Sequence, residues 1–122
     1  REQQHKLGDI GLRAEAEAAA YLHGLGYEVL QRRYRAARGE VDLVAKDGEE
    51  LVFVEVKTSR RSIHPERRVD RAKKRRLTRV ARHYLQHHAA DDTACRFDLL
   101  AVSLQEQGAV TEHMQNAFLP LD

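Results

Sequence analysis

The sequence predicts an α/β domain with helices packed against a sheet, in the order α-β-β-β-α-β and a further edge strand in the tail. Three observations carry this. Apolar residues recur at helical spacing in two places, Leu7–Leu25 and Val69–Leu85. Between these stretches, two strand-like runs, Glu40–Lys46 and Leu51–Lys57, flank the turn sequence Asp47-Gly48-Glu49-Glu50. After the second helix an apolar run, Cys95–Val102, is long enough for one strand and too short for a membrane span.

In chain order, Leu7, Ile10, Gly11, Ala14, Ala18, Tyr21, Leu22 and Leu25 form the apolar stripe of the first helix. Gly24 and Gly26 end it. A short strand follows from Tyr27 to about Arg33, then the two hairpin strands. Thr58–Arg68 reads as a basic loop containing Pro65. The second helix sets Val69, Ala72, Leu77, Val80, Ala81, Tyr84 and Leu85 on one face, and Arg71, Lys74, Arg75, Thr78, Arg79 and Arg82 on the other. The tail, Val110–Phe118, supplies the edge strand.

A chain of 122 residues suits one domain with one real core, spanning 1–122. The first residues contain no hydrophobic leader, and Arg1 in place of Met suggests a trimmed N-terminus. Cys95, alone of its type, leaves no internal disulfide and no cysteine-based zinc finger, and fits a reducing cytoplasm. The net charge of +2 conceals an asymmetry. From Lys57 to Arg82, twelve Lys or Arg residues face only Glu66 and Asp70, giving +10 and leaving −8 for the remainder. A basic block of this kind suits a polyanionic partner.

The chemistry concentrates in Gly39-Glu40-Val41-Asp42 and Glu55-Val56-Lys57. Alternate side chains of a strand share a face, so Glu40 goes with Asp42 and Glu55 with Lys57. Whether the pairs meet depends on the hairpin. Pairing Lys46 with Leu51 across a four-residue loop sets Asp42 opposite Glu55. Pairing Lys46 with Glu49 across a two-residue loop leaves the two acids diagonal on one face, and a three-residue loop separates them unless a bulge intervenes. Two close carboxylates repel, and a hard divalent ion, Mg²⁺ or Mn²⁺, relieves that repulsion. Such an ion grips a phosphate oxygen and acidifies a bound water, while Lys57 is placed to orient that water or offset charge on the phosphate.

Blander roles compete for some of these residues. Glu40 suits a structural hydrogen bond as well as it suits metal contact. Glu55 and Lys57 could border a solvated strand, and the basic helix face could be a solvated face. His5, His23, His64, His83, His87, His88 and His113 lack zinc-site spacing. Cys95 and Tyr84 read as core residues, and Asp98 as structural.

Asp42, twelve intervening residues and then Glu55-Val56-Lys57 resemble the PD-(D/E)XK nuclease signature, with Val41 where many members carry Pro. The wider pattern is similar to the uncharacterised bacterial YraN-like family, relatives of archaeal Holliday junction resolvases. It runs through Ala14-Glu15, Tyr21-Leu22, Gly39–Leu43, Val52–Thr58, Lys74–Leu77, Arg96-Phe97-Asp98, His113 and Asn116-Ala117-Phe118. Ala14 replaces the usual Gly, and the Ser59–Arg68 loop lacks the usual aromatic-Gly pair. The resemblance implies a restriction-endonuclease-like fold, a central mixed sheet flanked by helices. It also implies a further acid from the first helix, which only Glu15 matches, and it makes a homodimer an expectation.

The expectation is therefore a cytoplasmic Mg²⁺- or Mn²⁺-dependent endodeoxyribonuclease, acting on duplex or branched DNA in repair or recombination. Asp42, Glu55, Lys57 and Glu15 would be catalytic, with Asp42, Glu55, Glu15 and Glu40 as candidate metal ligands. Arg60, Arg61, Arg67, Arg68, Arg71, Lys74, Arg75, Arg79 and Arg82 would track the phosphate backbone. The alternative is a non-catalytic nucleic-acid-binding module on the same scaffold. A weaker third reading is an acid–base enzyme for a small phosphorylated molecule.

Overall fold

A computed structural model describes residues 2–59, 69–90 and 92–120, with side chains from residue 8 onward except that of Ser59. The elements are α1 (Glu2–Gly24), β1 (Glu28–Ala36), β2 (Gly39–Asp47), β3 (Glu50–Ser59), α2 (Arg71–His88), β4 (Cys95–Gln105) and β5 (Gly108–Phe118). The sheet is mixed, with strand order β1-β2-β3-β4-β5. Every neighbouring pair is antiparallel except β3–β4, whose parallel pairing requires the crossover that α2 provides. This α-β-β-β-α-β-β arrangement is the α/β architecture expected from the sequence and is consistent with a restriction-endonuclease-like fold.

Two cores lie on opposite sides of the sheet. Ala14, Ala18 and Leu22 of α1 pack on Leu43, Ala45, Val52, Val54, Leu100 and Val102. On the other side, Leu77, Val80, Ala81 and Tyr84 of α2 pack on Tyr34, Val41, Val44, Leu51, Phe53 and Leu99. Alternation along β3 and β4 divides the apolar residues between these layers. Gly39 lets β2 approach α2 closely, since a Cβ there would sit 2.9 Å from Val80 Cγ2.

A glycine-dependent cap ends α1. Gly26 has φ +90°, Tyr27 N–H donates to the Leu22 carbonyl and Gly26 N–H to that of His23. The chain turns one residue earlier than the periodicity suggests, so Leu25 leaves the apolar stripe and is 48 % exposed. Strands run longer than expected because the three hairpins, β1–β2, β2–β3 and β4–β5, zip to their turns. β1 continues to Ala36, and the connection to β2 is only Ala37-Arg38, both at positive φ as a two-residue hairpin turn requires. Among the described residues, no helix is long and apolar enough to cross a membrane.

On α2 the stripe is rotated relative to the sequence reading. Ala72 is exposed while Lys73 turns inward. Thr78, expected on the polar face, is buried, its hydroxyl donating to the Lys74 carbonyl at 2.7 Å. That bond satisfies the one polar group Thr78 brings inside.

Candidate active site

The β2–β3 hairpin decides whether the acids meet. Lys46 lies opposite Leu51, the register that aligns Asp42 with Glu55. Asp47 and Glu50 pair as well, which shortens the turn to Gly48-Glu49 without changing that register. The ladder ends at Leu43 and Val54. Just beyond it, Asp42 Oδ2 accepts the Val56 backbone N–H at 2.7 Å, so a carboxylate takes over where main-chain pairing stops. The Asp42 and Glu55 carboxyls are hydrogen-bonded to each other.

Strict alternation fails at Asp42, and this sorts the other acids. Leu43 belongs to the α1-side core and Val41 to the α2-side core, although they are two residues apart. Across from this break, Arg33 adopts φ +54°, between the pairs Arg32–Leu43 and Tyr34–Val41. Glu40 consequently parts from Asp42 and bonds Arg35 Nε at 3.0 Å on the exposed surface. The expected Glu40–Asp42 partnership is thus absent. Glu15 lies near enough for its charge to act on Asp42, but Arg33 Nε holds both its oxygens at 3.0 Å.

Glu55 is 5 % exposed, yet Lys73 Nζ forms an ion pair with its Oε2 and Lys57 Nζ stands 3.9 Å from the same atom. That oxygen is fully buried and receives no hydrogen bond of regular geometry. Burial, the hydrogen bond to Glu55 and the Glu55 charge push the Asp42 carboxyl up to about 9, against the Val56 N–H. Glu55 moves the other way. Burial opposes its ionisation, but the Asp42 hydrogen bond and the contact and charge of Lys73 hold it below the ordinary range. The two carboxyls therefore titrate as a pair, with Asp42 the one pushed towards its protonated form. Burial, with Lys73 alongside, lowers Lys57, whereas Glu55 keeps Lys73 raised despite burial.

Oxygen donors in contact, one of them buried and poorly satisfied, suit a hard cation that keeps several waters and takes one or two protein carboxylates. Asp42 and Glu55 fit that description. Among the described residues no group of three or more His, Cys, Asp or Glu side chains is gathered tightly enough to enclose an ion. Glu15 and Glu40 are instead paired with Arg33 and Arg35.

The profile of the uncharacterised protein family UPF0102 matches residues 14–102, a stretch that contains the whole of this centre. The chain belongs to that family. Similar proteins are UPF0102 proteins of Moorella thermoacetica, 44 % identical over 94 % of this chain and 97 % of the relative, and of Syntrophus aciditrophicus, 39 % identical over 95 % and 91 %. A UPF0102 protein of Geobacter sulfurreducens is 40 % identical over 96 % and 94 %.

This UPF0102 chain also has a second polar cluster, on the α1 side of the sheet. Asp98 is fully buried and accepts from Arg96, from His113 Nε2 at 2.7 Å and from the Asn116 N–H at 3.0 Å. Arg96 extends the cluster to Asp47, Glu50 and the Tyr27 hydroxyl. Burial disfavours the Asp98 anion, but His113, Arg96 and Asn116 together lower its pKa. These bonds pin β5 and the β2–β3 turn to β4, which is the structural role expected of Asp98.

Of the basic residues, Arg71, Arg75, Arg79 and Arg82 are exposed along α2, while Lys74 is half-buried with its ammonium 5.8 Å from the Phe118 ring centre. Arg60, Arg61, Arg67 and Arg68 lie outside the described residues. Lys73 was not singled out by the sequence reading, though a signal existed. Val69, Lys73, Leu77, Val80 and Tyr84 follow helical spacing, and a charge on an otherwise apolar stripe needs a buried partner.

Proposed function

We propose that the chain is a cytoplasmic, divalent-metal-dependent nuclease of the PD-(D/E)XK type, cleaving phosphodiester bonds in duplex or branched DNA. The observation that carries this reading is the contact between the Asp42 and Glu55 carboxyls at the end of the β2–β3 ladder. Mg²⁺ or Mn²⁺ held there would supply Lewis acidity and an acidified water. The chain's own residues do the positioning. Val56 N–H fixes the Asp42 carboxyl, and Glu55 is anchored in a central strand. Lys57, with its pKa lowered, is suited to orienting a water or meeting charge on a phosphate oxygen. The exposed arginines of α2, the helix that also carries Lys73, would hold the phosphate backbone without reading sequence.

The test is cleavage of junction, flap, linear duplex and single-stranded DNA, with and without Mn²⁺. Metal-dependent cutting should vanish in Asp42→Ala and Glu55→Ala proteins that still bind DNA. Undiminished cutting by both variants rejects the assignment. One observation favours a second reading, a non-catalytic nucleic-acid-binding module: Lys73 already neutralises Glu55. Calorimetry separates the two, because a module of that kind takes up no Mn²⁺ even with DNA present.

A further inference from the structure

Lys73 stands in an unfavourable place for its own helix. It lies in the first turn of α2, where the aligned peptide dipoles repel cations, and that turn contains no acidic residue. Asp70 caps the helix and accepts the Lys73 backbone N–H at 2.8 Å, which fixes the start of the side chain. The ammonium then meets Glu55 Oε2, the buried oxygen with no regular hydrogen bond, while Arg71, Arg75 and Arg79 of the same helix face solvent. A carboxylate in this setting cannot stay unpaired cheaply. Among the described residues Lys73 is therefore the nearest cation to Glu55, closer than Lys57 at 3.9 Å, and joins the Asp42 hydrogen bond in keeping Glu55 charged.

We propose that Lys73 is a tethered competitor for the divalent ion, a positioning residue that must leave Glu55 when the ion arrives and then turns to a phosphate of the substrate. This rests on the metal-centre reading above. A dication within about 2.1 Å of a Glu55 oxygen and an ammonium against that same carboxylate repel each other strongly. Displacement costs Lys73 its partner, and that cost falls when a phosphate backbone lies along α2 and offers a new one. Metal loading and DNA binding are then linked, each strengthening the other by the same factor. The free protein would bind its ion weakly and the DNA-bound protein tightly, which restrains the centre until substrate is in place.

The experiment measures Mn²⁺ affinity from the free-Mn²⁺ electron paramagnetic resonance signal, with and without a short duplex carrying non-hydrolysable linkages. It uses wild type, Lys73→Gln, Lys73→Arg and Asp42→Asn. Gln keeps a donor for Glu55 without the charge, and Arg keeps the charge. The proposal expects Lys73→Gln to bind Mn²⁺ about tenfold more tightly than wild type without DNA, within the usual range of coupling between sites. It also expects the gain on adding duplex to be large in wild type and Lys73→Arg and nearly absent in Lys73→Gln. A merely structural lysine would lower the melting temperature of Lys73→Gln and leave Mn²⁺ affinity unchanged. That result overturns the proposal while Asp42→Asn, by losing Mn²⁺, keeps the metal centre itself standing. If Lys73→Gln does not fold, a wild-type affinity for Mn²⁺ that duplex does not alter overturns the proposal equally. Absence of Mn²⁺ binding in every protein and condition overturns both the proposal and the metal reading.

Discussion

The carboxyl of Asp42 accepts the Val56 N–H on one side and faces Glu55 on the other, at the point where the β2–β3 ladder ends. This arrangement has a sign in pH. Asp42 ionises at about 9 in the folded chain, from an ordinary value of 3.8, because of burial, the Glu55 hydrogen bond and the Glu55 charge. A raised folded pKa means that the native state holds a proton the unfolded chain has lost. The stabilisation is full below about pH 4 and is lost progressively as pH rises towards 9. Asp42→Asn keeps both hydrogen bonds and has no proton to lose. Thermal melts between pH 6 and 9.5 should therefore show wild type weakening against Asp42→Asn. Parallel curves would contradict a protonated Asp42.

Asp98 gives a prediction about stability alone. Its partners Arg96 and His113 are themselves largely buried. Asp98→Ala leaves Arg96 its bonds to Asp47, Glu50 and Tyr27 but takes the acceptor from His113 Nε2 and the Asn116 N–H. Removing one partner from a buried network costs about 3–5 kcal/mol. Urea denaturation should report a decrease of that size, and a change below about 1 kcal/mol would remove the pinning role assigned to the cluster.

The close approach of β2 to α2 is testable through Gly39. Adding one methyl group 2.9 Å from Val80 Cγ2 should cost about 1–3 kcal/mol by overpacking. Gly39→Ala combined with Val80→Ala should cost less than the sum of the two changes, and strict additivity would show that the surfaces do not touch there.

For the proposed DNA interface, Arg75→Ala and Arg79→Ala should each weaken duplex binding with little regard to sequence. Each phosphate left without its arginine should lower the slope of log affinity against log salt by about 0.9. Mn²⁺ uptake without DNA should be unaffected, since neither side chain touches the acid pair. An unchanged slope in the double variant would exclude this face of α2 from the interface.

Much of this architecture could be read in the sequence because each level of pattern agreed with the next. The stripes of Ala14, Ala18 and Leu22 and of Leu77, Val80 and Tyr84 declared two helices, and Asp47–Glu50 declared the hairpin. Asp42 and Glu55 were legible as partners because two of the three hairpin registers open to the sequence place them on one face, and the structure adopts the one pairing Lys46 with Leu51. Glu40 was misplaced because period-two reasoning does not foresee a break, and nothing local announces the positive φ of Arg33 that accompanies it. Thr78 was misjudged because a polar side chain was equated with an outward one, and Lys73 was assigned to neither face. Thr78 satisfies itself against its own helix, and Lys73 finds a carboxylate on a strand distant in sequence but adjacent in space.

The parallel pairing of β3 with β4 also dictates an order of events during folding. Antiparallel neighbours β1, β2 and β3 need only two-residue turns to find one another, whereas β4 can join β3 only after the intervening helix has formed and been laid across the sheet. Refolding should pass through an early three-stranded meander whose acids already face each other, followed by a slower closure step that brings Lys73 down onto them. Hydrogen exchange pulsed during refolding should protect the Leu43–Val54 ladder before the amides of β4.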